Sequence, residues 1–214
     1  MKKVRALPTT RKSSTSKDYI IRRAIECFAK KGYEASTFDY IAKQGGISRP
    51  LITHYFPKKE VLLLACVKNV SESAARLVEE RMIKCQPHPW ELLKCYIAAN
   101  FEWAEKEPFQ LRFWVIFCFY CAWITEYRRI NQQLKYNARE RILRLLLSGQ
   151  SLKLFKFQGD PVLFSRTLHD TLYARILGIV TEGETPDFVK ARREMEEIYA
   201  KLLGLNLGSV TNRI

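Results

Sequence analysis

Residues 37–56 read TFDYIAKQGGISRPLITHYF, two short apolar-faced segments separated by a glycine pair. Ile41 and Ala42 give the first segment an apolar side. Gly45-Gly46 stops it, because glycine reaches positive φ without a Cβ clash. Ile47 follows as an expected buried pin. Ser48 is placed to cap the next helix, its hydroxyl accepting from a backbone N–H two or three residues on. Pro50 gives up no needed donor near a helix start. Leu51, Ile52, Tyr55 and Phe56 supply apolar surface at helical spacing, and Pro57 ends the segment. Two short helices joined by a glycine turn form a helix-turn-helix. In that plan the second helix lies in the DNA major groove with its N-terminal residues against base edges.

Charge concentrates in the same region. The chain of 214 residues has a formal net charge of +14, and residues 1–60 hold 14 Lys/Arg against 5 Asp/Glu. Residues 61–214 hold 22 against 17. An anionic partner placed at the two short helices is the expectation. The hydrophobic fraction of 47% supports a real core and excludes a disordered chain. No apolar core follows the basic start, so no signal peptide is expected. The longest uncharged apolar run, 113–124, is shorter than the roughly 20 residues a membrane-spanning helix needs. Cysteines stand at 27, 66, 85, 95, 118 and 121, mostly in apolar helical stretches. Free thiols in a reducing cytoplasm fit them better than a disulfide framework.

Residues 1–17 carry six Lys/Arg and no acid, which reads as a disordered basic arm. It is either a solvated tail or a phosphate and minor-groove contact. A helix is expected over 18–31, with Ile21, Ala24, Ile25, Phe28 and Ala29 on one face, Gly32 closing it, and Ser36 or Thr37 capping the next. A longer helix over 58–81 leads into a larger domain. Helices follow over 90–106, 108–127, 128–147, 160–180 and 186–203, with a loop over 148–159. The segment 108–127 is apolar nearly all round and is expected at the centre of a bundle. Asp160-Pro161 and Thr185-Pro186 each read as a cap followed by proline. No segment alternates with period two. The fold class is therefore all-α, about nine helices: an N-terminal three-helix helix-turn-helix domain over 18–62 and a C-terminal helical bundle over 63–214.

The stretches IIRRAIECFAKKGYEASTFDYIAKQGGIS and HYFPKKEVLL give the resemblance its detail. Their order is long helix, Gly-Tyr, Ser/Thr cap, Ile-Ala, small turn, Ile-Ser, then His-Tyr-Phe-Pro-x-Lys-Glu. Residues 18–66 resemble the DNA-binding domain of TetR-type (tetracycline-repressor-like) transcriptional regulators. The remainder, 63–214, resembles that family in being helical and of the right length, and the resemblance makes it the ligand-binding and dimerisation domain. The resemblance implies a homodimeric regulator, by family default a repressor, that binds a palindromic double-stranded operator and is released by a small molecule.

Geometry and resemblance agree on the second motif helix. Arg49 can pair bidentately with guanine, or serve as a phosphate contact. Pro50 and Leu51 offer apolar contact, for example with a thymine methyl, and Ser48 caps them. The resemblance makes His54 and Tyr55 contacts to the DNA backbone, with partial core burial the plainer role for Tyr55. Thr53 stands where the family usually has a phosphate-contacting tyrosine, with a shorter reach. Phe56 is expected in the core. Lys59 matches the family's helix N-terminal lysine, which holds a phosphate with the helix dipole. Thr37 can donate to phosphate, although capping alone explains it.

Dimerisation is expected through residues 160–203, with Leu163, Phe164, Leu168, Leu172, Ile176, Ile179, Ile198 and Leu202 either on that face or completing the monomer core. The aromatic load of the C-terminal part, Trp103, Phe113, Trp114, Phe117, Tyr120 and Tyr173 among it, is either core or the lining of a site for a hydrophobic effector. Cys118 and Cys121 share a helical face, which leaves open a redox- or metal-responsive repressor, although an apolar run without nearby acid or histidine favours a structural pair. No cofactor and no metal is expected. His88 and His169 are the only histidines outside the motif, and His169-Asp170 alone makes no catalytic triad. No glycine-rich phosphate loop appears, so an enzyme is not expected. A membrane-surface role is disfavoured because the basic excess sits on the motif, not on an amphipathic stripe.

Overall fold

A computed structural model of the chain describes residues 12–181 and 187–205. Among these the secondary structure is helical throughout: α1 (Lys12–Ala35), α2 (Phe38–Gly45), α3 (Arg49–Tyr55), α4 (Lys59–Lys84), α5 (Pro89–Lys106), α6 (Pro108–Cys121), α7 (Thr125–Ser151), α8 (Pro161–Thr181) and α9 (Phe188–Leu202). The chain divides into two compact units, Met1–Asn69 and Val70–Ile214, with the division falling inside α4.

In the first unit α1 starts earlier than expected. Residues 12–17, assigned to the basic arm, are its opening turns, and the rest of that arm lies outside the described residues. Extending a formed helix adds one hydrogen bond per residue fixed, so the amphipathic segment carries a poor helix former such as Ser-Ser-Thr-Ser along with it. Gly32, at φ 78° and ψ 168°, breaks the helical path as its position foretold. Ile20, Ala24, Ile25 and Phe28 from α1 bury with Ile41, Ile52, Phe56, Leu62 and Cys66.

In the second unit α5 is the most deeply buried helix, and it packs on α6, α7, α8 and α9. Trp90, Leu93, Tyr96, Ile97 and Phe101 are buried along it. The expectation that 108–127 is the central helix is corrected. Only Leu111, Phe113, Phe117 and Cys121 of α6 are buried, the helix ends at Cys121, and Phe119 and Trp123 are 62% and 73% exposed. An all-round apolar sequence does not choose its partners; which surfaces meet decides which helix is enclosed.

Two boundary devices behave differently. Asp160 Oδ1 accepts from Val162 N at 2.9 Å, as its position before Pro161 implies. Thr185-Pro186 lies outside the described residues, and the cap of α9 is Asp187, which accepts from Lys190 N at 2.8 Å. The expected loop at 148 starts later, after Ser151. There the Phe155 ring lies on Gly149 so closely that no Cβ fits, and Leu154 N and Phe155 N both donate to Gly149 O. One further correction concerns the thiols. Cys85 and Cys95 form a disulfide with Cα atoms 6.8 Å apart, joining the end of α4 to α5, while Cys27, Cys66, Cys118 and Cys121 are free. A ten-residue separation in sequence does not announce such a pair; the short connection between the end of α4 and the start of α5 allows it to come within bonding range.

Candidate nucleic-acid interface and ligand cavity

The α2–α3 corner is capped at each junction. Thr37 Oγ1 accepts from Tyr40 N at 3.2 Å, and Ser48 Oγ accepts from Leu51 N at 3.3 Å. Gly46 takes the left-handed conformation, φ 61° and ψ 31°, and its N–H returns to Ala42 and Lys43 carbonyls. A side chain there would be strained, which is why the turn needs glycine. Ile47 is half-exposed, not the buried pin expected. Two contacts from α1 that the sequence did not reveal hold the end of α2: Tyr19 Oη donates to Gly45 O at 2.8 Å and Arg23 Nη2 to Gln44 O at 3.3 Å. Both satisfy C-terminal carbonyls that the helix cannot.

The result is a short helix with one face anchored and the other open. Ile52 is fully buried and Phe56 nearly so. Thr37, Ser48, Arg49, Pro50, Thr53 and His54 are exposed, and Leu51, Tyr55 and Lys59 are half-buried. Arg49 Nη1 bonds Asp39 Oδ2 at 2.9 Å across the turn, with both side chains more than half exposed. That pair holds the guanidinium at the head of α3. The Thr53 hydroxyl folds back to the carbonyls of Arg49 and Pro50 at 3.3 and 3.1 Å. The His54 and Tyr55 rings meet edge to face, 5.0 Å apart. Lys59 Nζ donates to Tyr33 O at 2.7 Å and Glu34 O at 3.2 Å, and sits 4.1 Å from the Tyr33 ring centroid. The ammonium is thus held at the Gly-Tyr turn, a partner 26 residues away that spacing alone cannot announce.

In the second unit a cavity of about 400 Å³ opens between α4, α5, α6, α7 and α8. Trp103, Trp114 and Tyr173 line it. Phe113, Phe117 and Tyr120 do not. Phe113 and Phe117 lie one turn apart on another face of α6 and are fully buried, Phe117 packing against Tyr127 with ring centroids 6.0 Å apart. The polar lining residues Asn131, Lys135, Arg141 and His169 were not anticipated as site residues, because residues from α7 and α8 share the cavity only after the helices pack.

The electrostatics of the cavity are specific. Trp114 Nε1 donates to Tyr173 Oη at 2.8 Å, and that oxygen shares a second hydrogen bond with Cys118 Sγ at 2.7 Å. Burial, then the neighbouring Cys118, pushes the Tyr173 phenol well above its usual range. Burial likewise raises Tyr96 to about 12. His169 is buried, stacks on Tyr173, and contacts Asp170 Oδ1 through Nδ1 at 3.0 Å. Burial lowers its pKa in spite of that carboxylate, which favours the neutral ring. Burial opposes the charge on Asp170, but hydrogen bonds from Arg139 and His169 outweigh it and hold the carboxyl below its usual range. Nδ1 therefore donates and Nε2 keeps an acceptor lone pair.

The Cys118 and Cys121 pair gains no support as a sensor. Burial raises both thiols, Cys121 to about 11, whereas reactive or metal-binding cysteines are thiolates. Among the described residues no cluster of three or more His, Cys, Asp or Glu side chains could hold a metal. No described helix is long and apolar enough to cross a membrane.

The corner and its supporting helix coincide with a known sequence family. Residues 20–66 match the family model of bacterial regulatory proteins, tetR family. The chain is 38% identical over 87 residues to the uncharacterized HTH-type transcriptional regulator YerO of Bacillus subtilis, covering 40% of this chain and 30% of that protein. It is 40% identical over 68 residues to the HTH-type transcriptional repressor AcnR of Corynebacterium glutamicum, covering 32% and 35%. The matched region thus spans about a third of the length of these curated relatives. The whole fold resembles the crystal structure of a transcriptional regulator from Saccharomonospora viridis in complex with choline, with a TM-score of 0.73, 18% identity, and 88% and 97% of the two chains covered.

Proposed function

We propose, because the chain belongs through its N-terminal domain to the TetR family of bacterial regulatory proteins, that it is a transcriptional regulator which binds a palindromic operator as a homodimer and is released by a small apolar ligand. The observation that carries this reading is the corner of α2 and α3. Its buried side is Ile52 and Phe56, and its open side is Arg49, Pro50, Thr53 and His54. In the complex α3 enters the major groove. Arg49 reads a guanine edge, and Pro50 and Leu51 meet base methyls. His54, Tyr55, Thr53, Thr37 and Lys59 hold the backbone, and Ser48 keeps the helix start in register. TetR-family regulators act on DNA and not as enzymes. AcnR is named as a repressor, and repression is the direction proposed here.

Residues 18–62 form the DNA-binding domain in this reading, and residues 63–214 bind the effector and dimerise. The pairing surface proposed is the exposed part of α8 and α9. Leu163, Ile198 and Leu202 are 60%, 44% and 41% exposed. Leu168, Leu172, Ile176 and Ile179 are buried within the monomer and belong to its core, which narrows the face expected from sequence. The effector occupies the cavity between α4 and α8, as choline accompanies the Saccharomonospora protein. A ligand that favours the released spacing of the two recognition helices by about 1–3 kcal/mol is enough to control binding. The test is selection of binding sites by the full chain from random duplexes, followed by quantitative gel shift. Enrichment of one palindrome bound two chains at a time supports the reading; binding without any sequence preference at physiological salt rejects it.

A further inference from the structure

The cavity between α4, α5, α6, α7 and α8 holds an unbalanced cation. Lys135 Nζ lies 4.7 Å from the Tyr173 ring centroid, half-buried, and makes no ion pair among the described residues. The other cation on the wall, Arg141, is already matched by Glu79 at 3.3 Å. The two carboxylates of the lining, Glu72 and Glu79, are both exposed and so belong to the rim. One helical turn before Lys135, the Asn131 Oδ1 is buried without a hydrogen-bond partner. An Asn amide turned end for end presents N–H groups in place of that oxygen. One turn of α7 therefore offers an ammonium and an amide to the interior. The same lining includes the apolar and aromatic side chains of Trp103, Trp114, Leu111 and Ile176.

Resting on the effector reading above, we propose that this cavity takes a monoanionic, apolar-bodied ligand, a carboxylate whose head meets Lys135 and Asn131 and whose body lies among Trp103, Trp114 and Leu111. A half-buried ammonium held only by an aromatic face is incompletely compensated, and a carboxylate supplies the missing charge at short range. The same geometry argues against a quaternary ammonium ligand. Such cations bind aromatic faces, and here the face of Tyr173 already carries the protein's own cation. The Tyr173 hydroxyl is likewise occupied by Trp114 and Cys118. Aromatic and long-chain carboxylates share the required chemistry, and the cavity's shape decides between them.

The test is calorimetric titration of the full chain, without DNA, with 2-naphthoate, decanoate, their neutral amides, and benzyltrimethylammonium. One of the two carboxylates is expected to bind at least about tenfold more tightly than its own amide, the size of one charge-assisted hydrogen bond. Lys135→Met is expected to remove that preference while the amide still binds, and Lys135→Arg to keep most of it. Retained amide binding shows that the variant is folded. Preference for the quaternary ammonium, an equal affinity for acid and amide, a Lys135→Met chain that still prefers the acid, or no binding by any member overturns the proposal. Operator release is read separately by gel shift. A carboxylate that binds without releasing DNA leaves the ligand class standing and refutes ligand control; release by the cation alone does the reverse.

Discussion

Arg49 carries base discrimination in the proposed complex, and its neighbour His54 carries none. Arg49→Ala is expected to lower affinity for the selected operator by about 1–3 kcal/mol and to relax preference at one base position in each half-site. His54→Ala is expected to weaken all sequences alike and to reduce the dependence on salt. Fluorescence anisotropy against the operator and its single-base variants, across a salt series, separates the two. An even loss over all sequences for Arg49→Ala would place that guanidinium on phosphate. A second residue, Glu102, tests charge at the surface of the bundle. Hydrogen bonds from Arg81 at 2.8 Å and Lys106 at 2.6 Å lower its pKa from the ordinary 4.5 to about 2. The carboxylate's contribution is fully present above the unfolded value and is lost as pH falls through about 2. Glu102→Gln should therefore lose about 1 kcal/mol at pH 7, with the gap to the parent chain closing below pH 4.5. Urea unfolding at pH 7, 5 and 3.5 measures it, and a gap that stays constant would assign the loss to packing.

At the scale of elements, helix existence follows from local pattern and helix placement does not. The loop after α7 shows the difference. Nothing adjacent to Gly149 marks it as special, yet Phe155 is buried against its bare backbone. Gly149→Ala is expected to destabilise the fold by about 1–3 kcal/mol, as overpacking does. The pairing of Gly149→Ala with Phe155→Ala should lose less than the sum of the two single losses, because the smaller partner makes room for the methyl. Denaturant melts of the four chains decide it, and strict additivity would refute the contact. The helix α6 makes the complementary point. Its composition suggested the centre of the bundle, but α5 buries more of its length, from Pro89 to Ala104, than α6 does.

For the whole molecule, the proposed dimer is the quantity to perturb. Leu163 is exposed on α8, close to Arg166, Thr167 and Thr171 along one open groove. Leu163→Arg is expected to leave the helical content of the chain intact, since the side chain packs little within the monomer. It should shift sedimentation from two chains to one and weaken operator binding, because two half-sites are no longer held together. A variant that stays dimeric moves the interface off this face. Leu168 and Leu172 are unsuited to the experiment; they are buried, and charge there would unfold the monomer.

The local signals were sufficient for the fold class and for the corner of α2 and α3. Periodicity marked the helices, glycine and proline their ends, and Thr37, Ser48 and Asp160 their caps, since each of these depends on residues within a turn or two of itself. Contacts between distant residues were hidden. Lys59 reaches the Tyr33 carbonyl, Tyr19 the Gly45 carbonyl, and Cys85 its partner Cys95 only after helices pack. The same holds for the cavity: Trp103 and Trp114 were visible as aromatic residues, but Asn131 and Lys135 join them only because α7 crosses α5 and α6. A chain announces what neighbours in sequence dictate, while a polar group's partner and a helix's inner face are decided by which surfaces meet in three dimensions.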